Sequence, residues 1–541
     1  MRIAKLILFL ILTSGILIPN VLTVPEKTDY KETSLYPDVM NFLFKMKNIS
    51  SKINIVKLCS STEGRMIPLV IISNESISSP YEKNVVNKPA ILIMGNIHAG
   101  EVEGKEASQM MIRDFAEGKF SKLLENQIIL FIPVFNADGN EKLGKNRRDN
   151  GPELAGIRPN GQNLDMNRDY IKIETPEVKA LINLFNTWDP VLFVDLHTTN
   201  GSYHQEPVTY TTLSNPNSSE KLMDFMWEKM FPEVQKIMKT RFNTYAIPYG
   251  NFVDRSDPSK GWRNHAYEAR FGTNYAGLRN RFTILDENYS HADFKTRVLS
   301  SYYFIRSILE FTNININTMV QITRNADIHT MKSYRDKPHS LSYKTEKLKD
   351  FTIKSYVFKK EKIKPGDRHK YPPWIKDFLI KKTDKLKDYK VTYYAKAKPE
   401  KTVDLPSGYF ILPYQNKVIS NLKNHGIIVE KLKKSVKGKF ENFKIKKIEY
   451  AKRLYQGHIL LKVEGSYKKE EITLPAGSCY VSLKQPLARL IAEILEPESK
   501  DSLLTWGFFN KKIVKQWSSR PGTYPVYRYK GKVENFISYQ E

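Results

Sequence analysis

The sequence predicts an α/β fold: a mixed, mostly parallel central sheet flanked by helices, followed by a β-rich, then α+β, C-terminal region. Three observations carry this. Apolar runs of strand length with no polar alternation recur at Ala90 to Met94, Ile128 to Val134, Val191 to Leu196 and Phe282 to Glu287, as expected of strands buried on both faces. Helix-like patterns separate these runs, the spacing of a parallel sheet with crossover helices. After about Ile316 the texture changes to Lys-rich segments with short alternating apolar runs.

The chain opens on MRIAKLILFLILTSGILIPNVLTVP, in which Arg2 and Lys5 precede an apolar core from Leu6 to about Ile18. Residues 1–24 read as a signal peptide, so the protein is expected to be exported: periplasmic, cell-surface or extracellular. An uncleaved anchor is the alternative reading, and no later segment is long and apolar enough to cross a membrane. A catalytic domain is expected over residues 25–316. Residues 37–50 read as an amphipathic helix. Ile53 to Leu58 and Ile67 to Ile72 read as strands around a turn at Ser60 to Gly64. A helix is expected from about Val102 to Phe115, and a long Gly, Asn and Arg-rich loop from Glu141 to Asn163, of the length that compact domains reserve for function. Thr175-Pro176-Glu177 opens a helix with Pro in its first turn. Residues 218–240 and Phe294 to about Phe311 read as further helices, the last closing the domain. Residues 317–400 read as a Lys-rich β-type accessory region, with turns at Pro365-Gly366 and Pro372-Pro373. Residues 401–541 contain two segments that echo each other, LPSGYFILPYQNKVISNL (Leu405 to Leu422) and LPAGSCYVSLKQPLARLI (Leu474 to Ile491). Each is expected to be a strand followed by a helix.

At 541 residues the chain is long enough for two or three domains. Two cysteines exclude a disulfide framework, and Cys59 and Cys479 could pair or stand apart. The net charge of +27 suits an anionic polymer or membrane surface, or is a solvated Lys-rich exterior. No stretch interleaves aromatics with Arg as nucleic-acid binding requires, so no nucleic-acid partner is expected.

The chemistry centres on ILIMGNIHAGEVEGKE (Ile91 to Glu106). His98 and Glu101, three apart on the turn leaving a buried strand, form half of a metal site. Zinc takes imidazole nitrogen and carboxylate oxygen at about 2.0–2.2 Å, and catalytic zinc keeps three protein ligands and an open position. His197, directly after VLFVDL, is the third candidate, since it falls at the same sheet edge. Two histidines and one carboxylate favour catalytic over structural zinc, with one ion expected. Glu103 and Glu106 read as helix residues rather than ligands. In GQNLDMNRDY (Gly161 to Tyr170), Arg168 and Asn167 can grip a carboxylate, and Asp165 can fix the tautomer of a ligand histidine. Glu287 ends a strand where a general base is needed, with Asp286 its neighbour. Alternation lets only one of the two face the site.

IHAGE, LDMNRD, DLHTTNG and ILDEN, in this order, resemble the zinc carboxypeptidase family of carboxypeptidase A type. The likeness extends from about Ser61 to Val298. It is closer to secreted bacterial members, which share NADGN, a Gly-Pro-containing loop, LDxNRDxxKxExPE and DLHTTNGSxH, and the tail LEPESKDSL (Leu495 to Leu503) before Trp506 is also similar. The resemblance implies zinc held by His98, Glu101 and His197, Asp165 behind the first histidine, Asn167 and Arg168 on the substrate's terminal carboxylate, and Glu287 as general base. It also implies an upstream arginine on the scissile carbonyl, with Arg147 the choice and Arg158 its competitor, and a tyrosine over the substrate, for which Tyr267 and Tyr275 are candidates.

The expected activity is zinc-dependent hydrolysis of C-terminal or near-terminal peptide bonds, on a substrate with a free carboxylate. Two other readings stand beside it: an amidase or deacylase acting on cell-wall peptides or small N-acyl amino acids, and an inactive peptidase fold that only binds. The C-terminal region is a candidate for cell-wall or glycan contact.

Overall fold

The computed structural model describes residues 21–145, 147, 150–264, 267–371, 377–514 and 521–531. Most of the expected leader (residues 1–20) and the Pro372-Pro373 turn lie outside the described residues. Eight strands form the central sheet: β1 (Ile53–Ser60), β2 (Met66–Ile72), β3 (Ala90–Gly95), β4 (Ile128–Ile132), β5 (Leu192–Thr199), β6 (Val208–Thr211), β7 (Ala246–Pro248) and β8 (Phe282–Tyr289). Their order is β1-β2-β4-β3-β5-β8-β6-β7. The four middle strands β4, β3, β5 and β8 run parallel, while β2 joins β4 and β6 joins β8 antiparallel. The sheet is therefore mixed, with a parallel centre. All six residues of β3 and all five of β4 are buried, which is why these strands read as unbroken apolar runs.

Helices α1 (Tyr36–Ile49), α2 (Glu103–Ala116), α3 (Pro176–Trp188), α4 (Phe231–Phe242), α5 (Gly272–Leu278) and α6 (Phe294–Ser333) accompany the sheet. Helix α6 does not end near Phe311 as expected. It runs unbroken to Ser333, so the boundary set at residue 316 falls inside it, and residues 317–333 are helical rather than β-type. The polar run Asn313, Asn315, Asn317 disguises the continuation. Ile316, Met319, Thr323, Ala326 and Thr330 keep one stripe buried at helical spacing through this stretch.

The Lys-rich segment then forms one long hairpin, β9 (His339–Lys362) with β10 (Phe378–Val403). The last part holds a six-stranded sheet that includes β11 (Gly408–Ile411), β12 (Val436–Tyr450), β13 (Leu461–Leu474), β14 (Cys479–Ser482) and β15 (Val526–Tyr529). The two echoing segments are strand–helix units here: β11 with α7 (Asn416–Asn424), and β14 with α8 (Ala488–Leu495). Their strands lie side by side, antiparallel. Cys59 and Cys479 are both unpaired. One apolar cluster includes Ile91, Leu130 and Val194 of the central sheet together with Leu422, Leu490 and Trp506 of the C-terminal part. The two halves thus share a core.

Candidate functional site

The parallel pairing of β3 with β5 sets Gly95 opposite Leu196, so the turn after β3 and His197 meet at the same carboxyl-end edge of the sheet. Asn96 turns the chain with a left-handed φ of 65°, a conformation Asn tolerates better than most residues. Its side-chain amide donates to the carbonyls of Ala99 and Glu101, both at 3.2 Å, and so shapes the loop. Helix α2 then packs its first turn directly on β5. A Cβ at Gly104 would lie 2.4 Å from Leu196 Cβ, so only glycine lets the helix carrying Glu101 at its mouth approach the strand carrying His197.

The result is a buried cluster of His98, Glu101 and His197, with one donor atom from each inside 4.8 Å. Glu101 stands 3.1 Å from His98 Nδ1 through one oxygen and 2.9 Å from His197 Nδ1 through the other. Each imidazole has its far nitrogen turned to a carboxylate: His98 Nε2 is 3.0 Å from Asp165 Oδ1, and His197 Nε2 is 3.0 Å from Asp195 Oδ2. Both Nδ1 atoms and the Glu101 carboxylate converge on one point, the two nitrogens 3.2 Å apart. Electronegative atoms so placed repel unless a proton or cation sits between them. Two imidazoles, one ligand carboxylate and two backing carboxylates are a donor set that fits a zinc dication. Burial raises the Glu101 pKa, but the two imidazoles outweigh it and hold the carboxyl well below its ordinary range. Burial acts the same way on Asp165, where the hydrogen bond from His98 and the charges of Arg168 and Arg158 win and lower it.

Glu103 and Glu106 are occupied elsewhere. Glu103 pairs with Arg297 at 2.7 Å and accepts from the Thr198 hydroxyl. Glu106 accepts from Thr33 at 2.6 Å and from Ser34.

A cleft of about 610 Å³ opens over the cluster and is lined by Glu287, Asn167, Arg168, Arg158 and Arg147 as well as the ligand set. Adjacent residues on β8 separate as strand alternation demands. Asp286 is fully buried on the face toward α6, accepting from Ser301 at 2.9 Å. Glu287 faces the cleft, in register with His197. Burial pushes the Glu287 carboxyl up to about 8; Glu101 and Asp286 add to this, and His197 and Arg158 oppose it.

Asp165 caps the short turn Met166–Arg168 by accepting from Asn167 N at 2.9 Å. Asn167 Oδ1 in turn accepts from Gly272 N at 3.0 Å. Arg168 lies over the Phe271 ring at 4.4 Å and donates to the Asn167 carbonyl at 2.8 Å. Of the two candidate arginines, Arg158 reaches the cluster, with Nε donating to Asp165 at 2.8 Å and Nη1 3.6 Å from Glu101. Arg147 lines the same cleft, with its guanidinium against Gly144.

Neither expected tyrosine reaches the cleft. Tyr267 is buried with its hydroxyl on the Asn264 carbonyl, and Tyr275 is buried against His425. Both are absorbed by core packing around α5. The tyrosine lining the cleft is Tyr249, beside Phe271 and Leu285. No local pattern singles these three out. Nor does one mark Tyr455 and Gln456, which bond Arg168 Nε and Asp165 N from the C-terminal part of the chain.

Residues 39–284 match the zinc carboxypeptidase family. That stretch holds His98, Glu101, Asp165, Asn167, Arg168 and His197, and ends just short of Glu287. Carboxypeptidase 2 of Trichophyton equinum is 24% identical over 493 residues, covering 87% of this chain and 81% of that protein. Carboxypeptidase Z of Mus musculus is 26% identical over 231 residues, which is 36% of this chain and 33% of the mouse protein. Carboxypeptidase A from Helicoverpa armigera overlays 55% of this chain and 75% of its own, at 14% identity and a TM-score of 0.40.

Proposed function

The chain is a zinc metallopeptidase belonging to the zinc carboxypeptidase family, and on that premise we propose that it removes residues from the C-terminal end of peptides. The observation that carries this is the shared cleft: Asn167 and Arg168 line the same cavity as the three-donor cluster and Glu287. A planar guanidinium beside an amide is a receptor for a terminal carboxylate. With that carboxylate on Arg168, the last peptide bond is directed toward His98, Glu101 and His197.

A bound zinc ion supplies Lewis-acid polarisation of the scissile carbonyl and acidifies water. Glu287 takes the proton from the attacking water and returns it to the leaving amine. Arg158, beside Glu101, faces the charge that grows on the carbonyl oxygen. Asp165 keeps His98 in the tautomer that leaves Nδ1 for the metal. The side chain of the departing residue would lie among Phe271, Leu285 and Tyr249, and among the described residues the only acidic groups lining the cleft are Glu101 and Glu287 of the catalytic cluster, which leaves none to pair a basic side chain. A neutral, apolar or aromatic C-terminal residue is therefore preferred. The intact donor set with Glu287 beside it supports an active enzyme over a binding protein. Export is supported by the charged and apolar pattern of residues 1–24. Among the described residues, no helix is long and apolar enough to cross a membrane.

The test is a digest of matched peptides with free and amidated C-termini, read by mass spectrometry with and without a chelator. Stepwise loss of terminal residues from the free acids alone, stopped by chelator, is expected. Internal cleavage, or trimming that survives the chelator, would sink the reading.

A further inference from the structure

The connection between β12 and β13 ends in a tight turn, Tyr455–His458, closed by Tyr455 N to His458 O at 2.8 Å and the reverse bond at 3.0 Å. Both central residues are left-handed, Gln456 at φ 51° and Gly457 at φ 78°. Such turns favour Asn or Gly at the first position, because a longer side chain is strained there. Gln456 has a use for its extra length. Its Oε1 accepts from the backbone N–H of Asp165 at 2.8 Å, the residue that orients His98. Its neighbour Tyr455 accepts from Arg168 Nε at 3.1 Å. A backbone outlier carrying a side chain into an active site is the kind of strain that function retains.

The surrounding bonds hold the turn in place. His458 Nε2 sits 2.9 and 2.8 Å from the two oxygens of Glu174, at the far end of the same loop. Arg270 lies over the rings of Tyr455 and Trp506, at 5.6 and 4.9 Å, and pairs with Asp501 at 2.7 Å. Asp501 and Trp506 belong to the LEPESKDSL tail motif and its neighbour. Arg168 is thus fixed on three sides: Phe271 beneath it, the Asn167 carbonyl on Nη1, and Tyr455 on Nε. Among the described residues Nη2 has no hydrogen-bond partner, and Arg168 lines the cleft.

We propose that the Tyr455–His458 turn is a positioning element for substrate-carboxylate recognition. Tyr455 sets the rotamer of Arg168, and Gln456 sets the loop that carries Asp165, Asn167 and Arg168. A region far along the chain thereby completes the catalytic cleft without touching substrate. This rests on reading Asn167 and Arg168 as the carboxylate receptor.

The test uses the full zinc-loaded chain and its Tyr455→Phe and Gln456→Gly variants. KM and kcat are measured on a free-acid peptide, and Ki on the same peptide amidated. The phenol-to-phenyl change removes one bond to a charged donor, so KM should rise roughly 10-fold, with kcat within about two-fold and the amide's Ki unchanged. Gln456→Gly, which suits the left-handed turn, should raise KM in the same selective way without lowering the thermal midpoint. Unchanged KM in both variants overturns the proposal. Equal weakening of the free acid and the amide also overturns it, in favour of a purely structural turn. A wild-type chain that binds the amide as well as the free acid overturns the carboxylate reading itself.

Discussion

Asp286 and Glu287 are neighbours with opposite surroundings. Burial raises both carboxyls, to about 7 and about 8, but Ser301 and Asn288 donate to Asp286 while Glu287 lines the cleft. Glu287→Gln should leave zinc content unchanged and lower kcat by at least ~10³-fold, since a general base and its electrostatics are lost together. Asp286→Asn should keep turnover within a few-fold of wild type. The reverse ranking in a continuous peptide assay would move the base to Asp286. Arginine placement gives a second contrast. Arg158→Ala should cost roughly 10² in kcat, the usual loss for one group stabilising an oxyanion, while Arg147→Ala should cost less, since among the described residues it is Arg158 that contacts Glu101 and Asp165. Steady-state kinetics that rank Arg147 above Arg158 would restore the sequence-based choice. At this scale the sequence was informative where spacing meets chemistry, as with His98 and Glu101. Alternation said that one of Asp286 and Glu287 faces the site without saying which, and the position of Tyr249 in the cleft had no local signature.

Helices and strands differ in how far their own residues announce them. Strands β3, β4 and β5 are buried on both faces, so hydrophobicity alone marks them. The β9–β10 hairpin was visible only as fragments, because long stretches of both strands are exposed and Lys-rich. Helix α7 gives a testable property. His425, just past its end, is fully buried, accepts from the Tyr275 hydroxyl at 2.9 Å and donates to the Ile171 carbonyl at 3.2 Å. Burial, with help from the Arg279 charge, pushes its pKa down to about 3. The folded value lies below the unfolded one near 6.5, so the unfolded chain binds the extra proton between these limits. The contribution to stability is full above pH 6.5 and is lost as pH falls toward 3. At pH 5 the loss amounts to about 2 kcal/mol. His425→Gln should be less stable than wild type at pH 7 yet lose less on moving to pH 5. Parallel melting curves for the two proteins would contradict this.

The shared apolar cluster joins the central sheet to helices α7 and α8 and Trp506 of the C-terminal part. Helix α8 has every residue buried, and Asn421 of α7 donates to the carbonyls of Ile171 and Lys172 at 2.9 Å each, beside the loop that carries Asn167 and Arg168. A chain cut after Ser333 would expose the core face that α8 and Trp506 cover. Such a fragment should be insoluble or lack peptidase activity even with zinc supplied, despite containing His98, Glu101 and His197. A soluble, fully active 21–333 fragment would show the catalytic part to be autonomous. The sequence could not reveal this dependence, since contacts between residues 165–168 and 455–456 leave no trace in local periodicity. The turn at Tyr455–His458 also has a consequence in time. A chain emerges N-terminus first, at about 5–20 residues per second. The three candidate ligands and Glu287 are made long before Tyr455 and Gln456, roughly ten to thirty seconds earlier at that pace. During synthesis the chain therefore passes through a stage in which His98, Glu101, His197 and Glu287 have all been made while the turn that bonds Arg168 and the backbone of Asp165 has not.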